Sequence, residues 1–443
     1  MARAVSTRLR GVAVWAACAV LIGVYAWVVV RPAAANPYTN GFATLYTESR
    51  ILIERPSDLR RLYEDDWFQQ QVDRFLGRQV QEIAQGQPPT MSLMLAPLAW
   101  LGPTQARLVW ILLSMLFWVA GLAVLANGLG LRSLYGVPPF VWLTAAATPY
   151  KPIADTLKRG QGYALLFLFL CVAVRAMLRP TRGRAWSGGV CLGLMFALKS
   201  AGLWLYPLLA AAKRWRVLLG AATAIAIAVL VGAALAGWQV WPIYVDRAVH
   251  WIATEPSNHV TAYQTVPSLA GHLFVFHPIW NPTPVRHLPM LAKALPLVVM
   301  GIVFGISVRR QRLDSDSLDE RALTLGMFVA PIVPLAPIGE GYHYVMIFPA
   351  VLIGWWWVLR TRASPKQWLL MAVCTVLVCA PQRYYSSEHL RAGWMALLAY
   401  PRAYGALMLW GVLAYAIPSH SCDSSPGVQP RVARADPTRL RIG

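Results

Sequence analysis

GQGYALLFLFLCVAVRAMLRPTRGRAWSGGVCLGLMFALKSAGLWLYPLLAAAKRW, running from Gly160 to Trp215, decides the fold. An apolar run over 162–178 is followed by Arg179, Arg182 and Arg184. A second apolar run over 186–212 ends on Lys213 and Arg214. Apolar runs near the roughly 20 residues that a bilayer requires, joined by a short basic loop, are the pattern of membrane-crossing helices with that loop on the cytoplasmic side. Lys199 interrupts the second run. A lysine among apolar residues is expensive and by default functional. It can hold a phosphate as a point charge, or it can snorkel to the membrane surface. The 186–212 run can be two helices meeting near one membrane face.

The rest of the chain repeats this pattern. Further runs lie at 11–30, 106–127, 134–149, 216–237, 286–308, 322–338, 342–359, 367–382 and 391–417. Counting 186–212 twice gives about twelve spans. Of the 443 residues 57% are hydrophobic and 13% charged, and the mean hydropathy is +0.48. Soluble domains carry about 25% charged residues. The net charge of +21 does not point to nucleic acid, because the cations cluster beside apolar runs and form no basic module with its own core. The first run ends in an AAAN that resembles a peptidase site, yet it exceeds the usual roughly 7–15-residue signal core and is expected to stay as a helix. The cysteines, Cys18, Cys171, Cys191, Cys374, Cys379 and Cys422, have no metal-ligand spacing, and the first five sit inside apolar runs as buried thiols.

Orientation follows from the short basic loops. GLGLRS, RAMLRPTRGRAW, KRWR, RRQRLDSDSLDER and RTRASPK all fall on one side if the N-terminus is cytoplasmic. Both termini are then cytoplasmic. Residues 31–105, 150–161, 238–285, 339–341 and 383–390 face outward. The expected organisation is one transmembrane domain over 1–417, with a first outer loop at 31–105 and a large outer loop at 238–285. The Pro-, Ser- and Arg-rich tail at 418–443 is expected to be disordered.

Polar residues of interest gather on the outer side. The first outer loop holds many of the nineteen acids, and one of them can act as a general base toward an acceptor hydroxyl or pair with Arg50, Arg55, Arg60 and Arg61. Asp65 and Asp66 are the best placed, flanked by Tyr63, Trp67 and Phe68, whose rings can pack on a lipid or a sugar. Lys158, Arg159 and Gln161 precede a span, where a helix N-terminus with nearby cations suits a lipid-linked phosphate. Glu340, Tyr342, His343 and Tyr344 stand at the outer end of another span, and His343 can donate to a phosphate or sugar oxygen. No HExxH, Walker or GxSxG motif occurs.

Several of these stretches together resemble the GT-C glycosyltransferases, and most of all glycosyltransferase family 87, the actinobacterial alpha-mannosyltransferase-like group that uses polyprenyl-phosphate-mannose. The resemblance runs in order through NGFATLYTESRILIERPSDLRRLYEDDWF, PPTMSLMLAPLAWL, the Gly160–Trp215 stretch, VPSLAGHLF and YHYVMIFPAVL. It implies an all-α GT-C-like bundle holding a polyprenyl-phosphate-linked sugar. No cofactor is expected, and no metal is required, because the lipid phosphate is a competent leaving group and the sequence shows no metal-ligand cluster. The product would be a cell-envelope glycolipid or glycan made at the cell membrane. The resemblance carries the family's lysine onto Lys199, its histidine onto His343 and its Gln motif onto Gln161, as donor-phosphate contacts beside Arg159. Tyr46, Trp67 and Tyr342 are the candidate contacts to sugar or acceptor. The family's catalytic Asp, which precedes a Phe, falls on Gly41, preceded by Asn40. The base is then another acid, Glu48, Asp65 or Asp66, or the activity is altered or lost.

Two other readings stand beside a glycosyltransferase. A transporter or flippase should show internal repeats and midplane charges; no clear repeat is present, and intramembrane charge is expected to be nearly confined to Lys199. An inactive relative acting as an envelope-assembly scaffold is compatible with Gly41.

Overall fold

The structure is a computed structural model that describes residues 2–77, 80–84, 86–254, 259–361 and 363–418. The expected disordered tail and Cys422 lie outside the described residues, save Pro418. Among the described residues the chain is all-helical, with no strand. Helix α1 (Ala2–Tyr25) passes through a π-turn into a last helical turn, so the AAAN segment is helical to Ala35. The segment expected to form the first outer loop folds into α2 (Asn40–Glu54) and α3 (Asp65–Leu76), followed by 3-10 turns over Pro89–Met94 and Ala96–Leu98. Then come α4 (Pro103–Leu129), α5 (Pro139–Ala146), α6 (Lys151–Arg159), α7 (Tyr163–Leu178), α8 (Arg182–Lys199), α9 (Leu205–Ala211) and α10 (Trp215–Ala236). The last part holds α11 (Val240–Thr254), α12 (Val266–Phe274), α13 (Pro289–Arg310), α14 (Leu318–Val329), α15 (Phe348–Arg360), α16 (Pro365–Val378) and α17 (Pro401–Ala416).

Among the described residues, length and apolarity single out five helices able to cross a membrane: Arg8–Ala35, Pro103–Leu129, Trp215–Ala236, Pro289–Arg310 and Gly341–Arg360. A sixth forms if Gly393–Ala399 and Pro401–Ala416, bent by 57°, are taken as one. Long helices are therefore fewer than the roughly twelve spans expected from the apolar runs. The 134–149 run begins late because Pro138 and Pro139 start α5, which lasts only 8 residues. The 186–212 run does break in two, at Ser200, whose φ of 50° ends α8.

The pair α8–α10 packs tightly because its interface is made of glycine. A side chain on Gly189 would meet the Val217 carbonyl oxygen at 2.0 Å, one on Gly193 the Ala221 oxygen at 2.4 Å, and one on Gly220 the Trp186 oxygen at 2.3 Å. Apolar helices in lipid gain little from hydrophobic burial against each other, so close backbone approach supplies the contact. Buried apolar residues of α4, α7, α8, α14, α15 and α17 form the main core. A second core joins α2 and α3 to Trp110 and Val240, so the outer segment is a packed cap rather than a solvated loop.

Intramembrane charge extends beyond Lys199. Arg107 and Arg402 are fully buried in apolar runs. Both satisfy backbone carbonyls: Arg107 donates to Ala33, Leu157 and Lys158, and Arg402 donates to Ala380 and Gly341 and pairs with Asp155 at 2.9 Å. Their task is to hold α6 and the turn before α15 in place, since chain ends buried away from water need donors.

Candidate active site

A cavity of about 1670 Å³ opens between α2, α6, α8, α11, α12, α13 and the 3-10 turn Gly341–Ile347. Lys199 enters it at the end of α8, where the left-handed Ser200 stops the helix. Its ammonium donates to the Gln87 side-chain oxygen at 2.8 Å and sits 5.8 Å from the Tyr163 ring centre. Gln87 is fixed in turn, because the Tyr63 hydroxyl donates to its carbonyl at 2.6 Å. Lys199 is thus a hydrogen-bonded group within the wall of a hollow, and not one that reaches for bulk water.

Arg159 arrives from the C-terminus of α6. Gly160, at φ +69°, turns the chain there, and no room exists for a side chain because Arg107 fills the space. Trp110 donates to the Gly160 carbonyl at 2.9 Å. Gln161 follows at once and donates to the Tyr342 hydroxyl at 3.3 Å. Tyr342 donates to Glu340 at 2.9 Å, and Arg159 pairs with Glu340 at 3.4 Å. His343 stacks on Tyr342 and meets Tyr163 edge-on, each at 4.4 Å. The loop over 238–285 clamps this turn: the Gln264 amide donates to the Gly339 carbonyl at 2.7 Å. Lys199, Arg159, Gln161, His343 and Tyr342, assembled from three distant stretches, all line one cavity.

The acids are distributed differently. Asp65, at the N-terminus of α3, binds Arg247 of α11 at 2.6 Å and 2.8 Å and is not among the lining residues. Asp66 is exposed, and Trp67 lies under the Arg61 guanidinium at 4.7 Å. Tyr46 is buried and donates to the Leu101 carbonyl at 2.8 Å. Glu48 is 1% exposed, behind the lining, with its Oε2 unpartnered. Among the described residues, the carboxylates that do line the cavity are Glu82 and Glu340. Burial pushes Glu82 up to about 7, opposed by hydrogen bonds from the Ile83 amide and Thr44, with Glu340 raising it and Lys199 lowering it. Neither Glu82 nor Gln87 stood out in the sequence. Gln87 lies inside the Pro- and Gly-rich GQPP and Glu82 shortly before it, and nothing in one dimension ties that stretch to Lys199.

Position 41 has no vacancy for an acid. A side chain there would meet Gln161 Nε2 at 2.6 Å and the Arg159 carbonyl at 2.7 Å. Asn40 beside it lines the cavity. The lining also has apolar members, Trp204 against Phe304, with Leu297 and Met300 of α13. Among the described residues no cluster of three potential metal ligands occurs.

The sequence profile of glycosyltransferase family 87 matches residues 87–337, which is more than half of the chain. The chain belongs to glycosyltransferase family 87. The match begins at Gln87 and takes in Arg159, Gln161 and Lys199. It stops just short of Glu340 and His343, and the first outer cap precedes it. No curated protein and no solved structure matches the chain. This family 87 protein is therefore a membrane glycosyltransferase by family, with a large cavity that joins cations, carboxylates and apolar residues.

Proposed function

We propose that the protein moves a hexose, mannose, from a polyprenyl-phosphate carrier to a glycolipid or glycan of the cell envelope, on the extracytoplasmic side of the membrane. What supports this reading most is the composition of the large cavity: Lys199, Arg159, Gln161 and His343 share its lining with two carboxylates and with apolar residues. A prenyl phosphosugar calls for the same chemistries, with an anion and hydroxyls at one end and hydrocarbon at the other. Lys199 and Arg159 offset the phosphate charge, which grows as the carrier leaves, so they stabilise the transition state more than the ground state.

In the reaction, the acceptor hydroxyl oxygen bonds to the anomeric carbon. The bond from that carbon to the phosphate oxygen breaks, and the phosphate keeps the electron pair. The hydroxyl proton passes to a carboxylate. Glu82 suits this role best, because it faces the cavity and its proton affinity is matched to neutral pH. Glu340 is engaged by Arg159 and Tyr342, which suits it to orienting those groups. Asp65 suits the cap, where it holds α11 through Arg247.

The test uses the purified protein in lipid discs, short-chain prenyl-phosphate-mannose and an envelope lipid extract. Release of carrier phosphate with mannose on a new lipid or glycan is the expected result. Lys199→Met should weaken donor binding at least tenfold while leaving thermal unfolding close to wild type. Turnover only with a different carrier-linked sugar overturns mannose. Donor binding without any transfer makes the protein a scaffold.

A further inference from the structure

The short stretch GQPPT, Gly86–Thr90, is clamped on both sides of Gln87. Gly86 lies against α11, where a side chain would meet the Ala248 Cα at 2.8 Å. Thr90 donates to the Ala197 carbonyl at 2.5 Å, in the last turn of α8. Pro88 disfavours helical backbone at Gln87, and the Tyr63 hydroxyl holds the Gln87 carbonyl at 2.6 Å. The side chain is then fixed by donor and acceptor chemistry. An ammonium accepts no hydrogen bond, so the amide atom that faces Lys199 at 2.8 Å is the oxygen. The amide nitrogen is the other branch, and among the described residues it donates to nothing and is not enclosed. Lys199 has three N–H donors and, among the described residues, spends one, on Gln87. Both side chains line the cavity. Two donor groups tied to each other thus stand there with N–H bonds to spare, and no carboxylate among the described residues is bonded to either.

We infer that Gln87 binds the carrier phosphate directly: its Oε1 holds Lys199, and its Nε2 donates to a phosphate oxygen beside the ammonium. The inference rests on the reading of Lys199 as the phosphate site. The phosphodiester of a prenyl phosphosugar carries a negative charge and no proton, so its free oxygens call for donors. Lys199 supplies a charged donor and Gln87 a neutral one. The hydrogen bond between them orders both before the phosphate arrives, so less side-chain freedom is lost on binding. An amide suits position 87 better than a carboxylate does. It steadies the ammonium without cancelling its charge, whereas a glutamate would pair with the lysine and repel the phosphate. Gln87 therefore joins Lys199 and Arg159 among the groups that face the leaving phosphate.

The experiment uses the full chain in lipid discs and measures, by calorimetry, the binding of short-chain prenyl phosphate and of short-chain prenyl-phosphate-mannose. Gln87→Met should weaken both ligands about tenfold, the usual effect of losing a hydrogen bond to a charged group. It should also weaken them by about threefold or more in a Lys199→Met background, because the amide has a phosphate contact of its own. No further loss in that background means that Gln87 only props the lysine, and overturns the inference. Gln87→Glu can still accept from Lys199, so its thermal unfolding should not drop, yet its affinity for both ligands should fall about a hundredfold. An affinity close to wild type in Gln87→Glu overturns the inference and leaves the donor reading intact. Where a variant fails to fold or binds too weakly to measure, a structure of the wild type with prenyl-phosphate-mannose decides. Gln87 Nε2 at about 2.7–3.2 Å from a phosphate oxygen supports the inference, and an amide turned away from the phosphate rejects it. Wild type that binds neither ligand removes the donor reading itself.

Discussion

Glu82 and Gly41 set the terms at the level of single residues. A base works only when unprotonated, and Glu82 titrates at about 7 because it is buried. The wild-type kcat/KM should therefore rise about tenfold per pH unit up to neutrality and level off above it, in a profile taken from pH 5.5 to 8.5. Glu82→Gln should lower kcat by about 10²- to 10⁴-fold and lose that rise; a variant with normal turnover would exclude Glu82 as base. Gly41→Asp places an acid where the resemblance expects one, yet the site is occupied by Gln161 and the Arg159 carbonyl. Overpacking of this kind costs about 1–3 kcal/mol. Thermal unfolding of that variant should drop, and its activity should not rise above wild type. The roles of Lys199 and His343 as candidates were legible from residue type and local context alone. Glu82 was not, because a lone acid in a polar loop carries no mark of the wall it will join.

The elements carry a second set of expectations. Helices α8 and α10 approach through Gly189, Gly193 and Gly220, and Lys199 stands six residues after Gly193 on the same helix. Gly193→Leu should push the helices apart, cost about 3 kcal/mol, and weaken donor binding together with stability, as read by a thermal-shift assay with and without carrier phosphate. The outer cap behaves differently. Asp65 ties α3 to α11 through a half-exposed pair with Arg247, and such a pair contributes about 1 kcal/mol or less. Asp65→Asn should then raise KM by no more than about fivefold with kcat unchanged. A loss of kcat by a hundredfold or more would return Asp65 to the chemistry. Apolar runs showed where the helices lie, but helix ends came from Pro138, Pro139 and Ser200, and the bend of 57° before Pro401 could not be read from composition. The 31–90 stretch looked like a polar loop since its polar residues are frequent; it is a packed cap because Phe42, Leu45, Tyr46, Phe68 and Val72 turn inward together.

For the whole molecule, orientation is the open test. A cysteine placed at exposed Arg60 should react with a membrane-impermeant maleimide from outside intact cells, and one at exposed Arg182 only after lysis. The reverse pattern would put the cavity's polar mouth in the cytosol and remove the carrier-linked donor. Membrane residence, the helical class and the family were already determined by the amino-acid sequence, because run length, loop charge and motif order are local properties that survive without contacts. Which groups share one hollow was decided only by tertiary structure. Lys199 and the Gln87 that holds it are 112 positions apart, and Gln161 and Tyr342 are 181 apart. Side chains so distant in the chain meet only because helices pack, and whether an acid ends in an ion pair, in water or facing a cavity depends on that packing and on nothing written beside it in the chain.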